Sequence, residues 1–255
     1  MIGRWLLCDF HIHTKYSDGQ LSLNEVIEFY GTRGFDAIAI TDHILDSRTV
    51  EQYRERKVSI PAVTEDDFAW YMETLWRAAE TAWKNYNMVL LPGAEITNNS
   101  NQYHILALDI KRYISPDHSV EGIVNFIKKQ GGLSVACHPH ERQHSSVNQS
   151  KYLWENHSQF AGLFDAWEVA NRNDLFKNVG HEKYPIVASS DFHEPGNIYS
   201  WKTLLHCEKH PESIKSTLRR NQDISVMLYR KEREALTSNV QNGNGVKLEL
   251  VNLCD

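Results

Sequence analysis

An α/β fold built on a mainly parallel sheet, open or closed into a barrel, is predicted for this 255-residue chain by three features. Short β-type runs alternate with segments of helical spacing through most of the sequence. Glycine and proline punctuate the helical segments. No internal repeat or low-complexity linker breaks the alternation.

The strand-like runs are 5–10, 36–41, 88–91, 103–109, 133–137, 166–170, 186–190 and 203–207. Between the first two, Leu23, Val26, Ile27 and Tyr30 follow the i, i+3, i+4, i+7 spacing of an amphipathic helix, stopped by Gly31 and Gly34. Thr64 and Asp67 form a capping signature that opens the longest helix, Glu65–Tyr86. Its Trp70, Trp76 and Trp83, together with Trp5 and Trp201, are expected to pack internally. Val120, Ile123, Val124 and Ile127 repeat the helical spacing before Gly131-Gly132, and Pro211 opens a helix with Ile214 and Leu218 facing inward. A domain spanning 1–222 is expected. In 223–255, a strand near 223–230 and a final apolar run flank Asn242-Gly243-Asn244-Gly245, as a closing hairpin or an appended tail.

Composition narrows the function classes. No apolar run approaches the ~20 residues needed to span a bilayer, and the first ten residues lack a small-residue cleavage site, so a cytoplasmic protein without membrane attachment is expected. Cys8, Cys137, Cys207 and Cys254 are scattered, without disulfide-framework or zinc-ribbon spacing. A formal charge of −6 argues against long nucleic acid as partner but not against a small phosphorylated substrate, because carboxylates that bind cations enter the formal count while their site becomes positive. The 13 histidines are the compositional anomaly.

Parallel α/β folds place their chemistry at the ends of strands. There the sequence shows His11-Ile12-His13 with Asp18, Asp42-His43, Pro92-Gly93-Ala94-Glu95, His138-Pro139 and Asp191-Phe192-His193, with His104 at the start of a run. Residues i and i+2 of an extended segment point the same way, so His11 and His13 can share one cation, and Asp191 and His193 can face one cavity. A lone His-x-His is a weak signal, and His104 or Glu95 alone reads equally well as a packed or capping residue. The set at successive strand ends is what points to a metal site. Imidazole and carboxylate suit zinc, manganese or iron, and nine such donors are too many for one tetrahedral ion but fit two or three divalent ions. Asp9 and Asp42, beside donor candidates, are expected to orient imidazoles through their second nitrogen. The remaining histidines, His118, His140, His144, His157, His181, His206 and His210, read as solvated surface.

With HIHTKYSDG, TDH, PGAE, His104, CHP and SDFH in this order over residues 5–208, the chain resembles the PHP (polymerase and histidinol phosphatase) superfamily of metal-dependent phosphoesterases. The resemblance implies a distorted seven-stranded (β/α) TIM-like barrel with up to three metals at its C-terminal mouth. By position it implies His11, His13, Glu95 and Asp191 on a first ion. Glu95 would bridge to a second ion held also by His104 and His138, and Asp18, His43 and His193 would bind a third. All nine ligand types are present, which favours an active enzyme. Phe192 stands where a small residue is often seen and is expected to narrow the pocket. The short span from His104 to His138 leaves no room for an extra substrate-covering domain.

The expected reaction is hydrolysis of a phosphate monoester of a small metabolite or nucleotide by a metal-bridged hydroxide, releasing inorganic phosphate, with Asp191 and His193 at the reacting centre. Arg142 and Arg172 are candidates for clamping the phosphate. Rival readings are a nuclease acting on nucleic-acid ends, a metal-dependent amidohydrolase and a non-catalytic metal- or phosphate-binding module. For the amidohydrolase a ligating lysine at a strand end would be expected, and none is apparent.

Overall fold

The computed structural model describes residues 4–139 and 151–230, and the backbone of residues 249–250. Its strands are β1 (Trp5–Asp9), β2 (Ala37–Ile40), β3 (His43–Leu45), β4 (Val89–Asn98), β5 (Tyr103–Leu108), β6 (Leu133–Ala136), β7 (Ala166–Asn171), β8 (Asp174–Leu175), β9 (Ile186–Ser189), β10 (Trp201–His206), β11 (Ile224–Leu228) and β12 (Glu249–Leu250). Its helices are α1 (Leu23–Gly31), α2 (Ser47–Glu55), α3 (Glu65–Tyr86), α4 (Val120–Lys129), α5 (Lys151–Glu155), α6 (His157–Phe160), α7 (Lys177–His181) and α8 (Pro211–Arg220).

All twelve strands join one sheet in the order β12-β11-β10-β1-β2-β4-β5-β6-β7-β8, with β3 added beside β4 and β9 beside β7. The sheet is mixed, which corrects the mainly parallel expectation. β1–β2, β2–β4, β6–β7 and β7–β9 run parallel, whereas β5 is antiparallel to both its neighbours and β10 is antiparallel to β1. The physical reason lies in connection length. Only residues 99–102 separate β4 from β5, enough for a hairpin but too few for a parallel crossover.

The sheet curls. Cys8 of β1, Ala39 of β2, Leu91 of β4, Leu106 of β5, Val135 of β6, Ala166 of β7 and Val187 of β9 all enter one inner cluster, which a flat sheet could not assemble. At their far ends β1 and β9 meet. Ile12 and Phe192 form a parallel bridge, with His13 N–H donating to Phe192 O (2.8 Å) and Phe192 N–H to His11 O (3.0 Å). Ile214 and Leu218 of α8 seal the opposite end of the inner cluster, each contributing about 1.5–3 kcal/mol through burial.

Helices cover the convex face. α1 begins at a capping box between Ser22 and Glu25, and α3 at Thr64, whose hydroxyl accepts from Asp67 N–H. The α3 face that packs inward is Phe68, Tyr71, Met72, Leu75, Ala78 and Ala82. Its tryptophans fall off that stripe. Trp70, Trp76 and Trp83 are exposed, as is Trp5, which corrects the expectation of internal packing; Trp201 alone of the five is buried. Phe192 is likewise not a pocket wall. Its fully buried ring packs against Phe29 and Tyr30 of α1, on the convex side. No helix among the described residues is long and apolar enough to cross a membrane.

Candidate metal centre

The curl gathers strand ends. β1 delivers His11 and His13, β4 delivers Glu95, and β6 and β9 lead into His138 and Asp191. His104 opens β5, and because β5 runs backward its first turn lies opposite the far half of β4, with Thr97 paired to His104. A histidine at a strand start thus joins ligand candidates at strand ends. Gly93 makes this hairpin possible, since a Cβ there would sit 2.6 Å from Ala107 O. Three residues at the mouth adopt left-handed backbone: His138 (φ 29°), Arg172 (φ 50°) and Asp191 (φ 49°). Non-glycine residues in this region are uncommon and cluster at functional sites.

Glu95 is the hub. Its Oε2 lies 3.3 Å from both His11 Nε2 and His13 Nε2 and 3.0 Å from His43 Nδ1. Its Oε1 lies 2.7 Å from His104 Nδ1 and 3.1 Å from His138 Nε2. Asp191 Oδ1 is 3.4 Å from the same two nitrogens of His11 and His13. A second group stands outward of this one: Asp18 Oδ2 is 3.2 Å from His193 Nε2, and Asp18 Oδ1 is 3.7 Å from His43 Nε2 and His13 Nδ1. Donor atoms lie close enough together to hold a cation in His11/His13/Glu95, in Glu95/His104/His138 and in His13/Asp18/His43/His193. His118, His157, His181, His206 and His210 enter no such group; His140 and His144 lie outside the described residues.

The chemistry of the donors fits a metal. His11 Nε2, His13 Nε2 and Glu95 Oε2 are buried and have no hydrogen-bond partner among the described residues. Unpaired buried polar atoms are costly, and three aimed at one another are what a cation would satisfy. Electrostatics agree. The Glu95 carboxyl is held well below its usual range, because His43, His11 and His104 outweigh the cost of its burial. Burial and the neighbouring His193 and His43 push His13 down to about 3, whereas Asp191, Glu95 and Glu168 overcome burial and raise His11.

The atoms behind the cluster differ from the sequence expectation. Asp9 accepts from Tyr30 Oη (3.0 Å) and Ser190 N–H (3.0 Å) and lies 3.3 Å from buried Lys202 Nζ, so it orients no imidazole. Asp42 accepts from Thr14, Ser17 and Tyr71, and reaches His13 only through Ser17, whose Oγ is 3.5 Å from His13 Nδ1. The supporting partners are others: Glu168 beside His11 Nδ1 (3.1 Å), Thr97 beside His43 Nδ1 (2.7 Å) and Asn99 beside His104 Nε2 (3.2 Å). Of these, Glu168 had a legible signal, as the one charge inside the apolar run Trp167–Ala170. Arg172 sits at the mouth with Nε 3.2 Å from Asp191 Oδ2 and Nη2 3.0 Å from His193 Nδ1. Arg142 lies outside the described residues.

A curled α/β sheet with converging imidazoles and carboxylates at one end defines a class, proteins with a His/Asp/Glu cluster that could hold metal at a sheet mouth. Residues 9–129 match the PHP domain model, so the resemblance drawn from the motifs is borne out. An uncharacterized protein of Methanocaldococcus jannaschii is 28% identical over 137 residues, 52% of this chain and 67% of that relative. A crystal structure of a two-domain Bacteroides vulgatus protein containing a predicted PHP-like metal-dependent phosphoesterase shares the fold (TM-score 0.65, 21% identity), covering 88% of this chain; this chain spans 65% of that protein. The fold also matches that of an amidohydrolase from Chromobacterium violaceum with bound sulfate and no metal (TM-score 0.52, 17% identity, 85% and 96% of the two chains).

Proposed function

We propose that this chain is a metal-dependent phosphoesterase that hydrolyses a phosphate monoester of a small metabolite or nucleotide. The observation that carries the reading is the trio of buried atoms His11 Nε2, His13 Nε2 and Glu95 Oε2, none of which has a hydrogen-bond partner among the described residues. In this reading His11, His13, Glu95 and Asp191 hold one divalent ion, Glu95, His104 and His138 a second, and Asp18, His43 and His193 a third, drawn from zinc, manganese or iron. The sheet is read as a distorted seven-stranded barrel of β1, β2, β4, β5, β6, β7 and β9, closed through the Ile12–Phe192 bridge.

Bound ions of this kind polarise a phosphoryl oxygen and lower the pKa of water towards ~7. The chain's own residues do the rest. Arg172, its guanidinium beside Asp191 and His193, turns to pair with phosphate oxygens. His193, with Nδ1 3.0 Å from Asp191 O, would present Nε2 beside Asp18 as a ligand of the third ion. Asp191 keeps both Arg172 and the His11–His13 pair in place. The Chromobacterium protein of similar fold binds sulfate, a tetrahedral oxyanion as phosphate is.

The amidohydrolase alternative would use a lysine among the ligands. Buried Lys202 stands nearest to that role, but its Nζ is taken up by Ser200 Oγ (2.7 Å), Trp201 O and Asp9. The deciding experiment is elemental analysis together with phosphate release from a panel of monoesters and nucleotides in added manganese. Two or three metals per chain with phosphate release are expected. Metal without release from any ester, but with turnover of an amide or lactone, would transfer the protein to the other class.

A further inference from the structure

We infer that Glu168 is a positioning residue that holds two of the proposed metal ligands at once, fixing the tautomer of His11 and the strained backbone of His138. The inference rests on the metal part of the proposed function and not on the phosphoester part.

Glu168 is a fully buried carboxylate on β7. Along this strand Ala166 belongs to the inner cluster, while Trp167 and Val169 pack on the convex side, so alternation sends Glu168 inward. A register shift between Glu168 and Ala170 follows immediately, and bulges of this kind re-aim side chains beside active sites. Among the described residues three donors reach the carboxylate. His11 Nδ1 lies 3.1 Å from Oε1, His138 N–H donates to Oε2 at 2.6 Å, and Asn171 Nδ2 donates to Oε2 at 2.8 Å.

Each contact has a distinct effect. A carboxylate can only accept, so neutral His11 must carry its proton on Nδ1, which leaves Nε2 as a lone pair aimed at Glu95 and Asp191. The bond from His138 N–H anchors that residue in its left-handed conformation (φ 29°), and so sets where its ring enters the cluster. One side chain therefore couples a ligand of the first proposed ion to a ligand of the second. Carboxylates that accept from ligating histidines are a recurrent means of tuning metal sites.

Glu168→Gln tests this with little change of shape. Glutamine offers one acceptor oxygen, and its amide nitrogen faces a donor whichever way it is turned, so it cannot serve both His11 Nδ1 and His138 N–H. Zinc affinity measured by competition with a chromophoric chelator should fall about 10–100-fold. Asn171→Ala, which removes the third of these donors and keeps the carboxylate, should stay within a few-fold of wild type. Unchanged zinc affinity in Glu168→Gln would overturn the inference. Should that variant fail to fold, long-range nitrogen–proton spectra of the wild-type protein decide instead. His11 protonated at Nδ1 is expected, and His11 protonated only at Nε2 would overturn it. A wild-type chain that binds no zinc would defeat the metal reading, while the His11 tautomer stays measurable in the metal-free protein at alkaline pH.

Discussion

The two halves of the ligand cluster are built differently. The floor, His11, His13, Glu95, His104, His138 and Asp191, has side chains no more than 6% exposed and stands on or just past β-strands. The rim, Asp18, His43 and His193, is 39%, 14% and 22% exposed. Asp18 is carried by the loop between β1 and α1, held by Gln20 N–H donating to His193 O (2.7 Å) and by Gly19 packed under Thr14. Floor ligands are thus fixed by the sheet itself, and a cation there is shielded from water. Of the rim ligands, His43 opens β3 and is paired with β4, whereas Asp18 and His193 are fixed by loop contacts; all three are more open to solvent, where electrostatic attraction is weaker.

The largest effect should come from the hub. Glu95→Ala removes the carboxylate that faces five imidazoles, and phosphate release should fall by about a thousandfold or more, with metal content reduced below one per chain by elemental analysis. If that variant retained two metals, the floor would not be a unit. Asp18→Asn at the rim should lower metal content by one equivalent and the rate by roughly 10–100-fold, on the order of 1.4–2.7 kcal/mol. Equal losses from Glu95→Ala and Asp18→Asn would erase the distinction between floor and rim.

Graded chelation sharpens the same comparison. Dialysis against rising concentrations of chelator should release one equivalent of metal well before the rest, with partial activity at that plateau. A single step for all ions would contradict it.

Within the floor, pH separates neighbours. His11 is raised above 6.5 and His13 lowered to about 3. In the metal-free protein their linkages therefore oppose. Below pH ~6.5 the unfolded chain binds a proton at His13 that the folded state refuses, so stability drains away as pH falls towards about 3. His11 supplies stability that is fully present below pH ~6.5 and lost as pH rises through its raised pKa. Histidine proton shifts followed through a titration should show His11 charged and His13 neutral at pH 6. The smallest effect belongs away from both regions: Trp76→Ala, on the exposed side of α3, should change stability by no more than about 0.5 kcal/mol in a urea melt and leave the rate unchanged.

Most ligand candidates were legible because they sit where an apolar run stops, His104 at the start of a run and Asp18 in a loop being the exceptions, and the capped helices α1 and α3 were legible because their end signals are local. What escaped the sequence depends on partners distant along the chain. The direction of β5 is decided by a short hairpin and by Gly93 approaching Ala107. Asp9 looks like a partner for histidine until Lys202, nearly two hundred residues later, arrives to claim it. The tryptophans of α3 read as core by type, but the helical stripe was already filled by smaller apolar residues.

The stitch between Ile12 and Phe192 has a consequence in time. His11 and His13 are made long before Asp191, which their cluster also needs, and Ser190 N–H reaches Asp9 across 181 positions. At roughly 5–20 residues per second, synthesis leaves the opening histidines without their partners for about 10–40 s. The nascent chain can form hairpins and capped helices in that interval, but it cannot complete a floor for a cation. Metal acquisition should accordingly wait until Asp191 has been made, and a chain arrested before it should emerge from the ribosome unable to retain zinc.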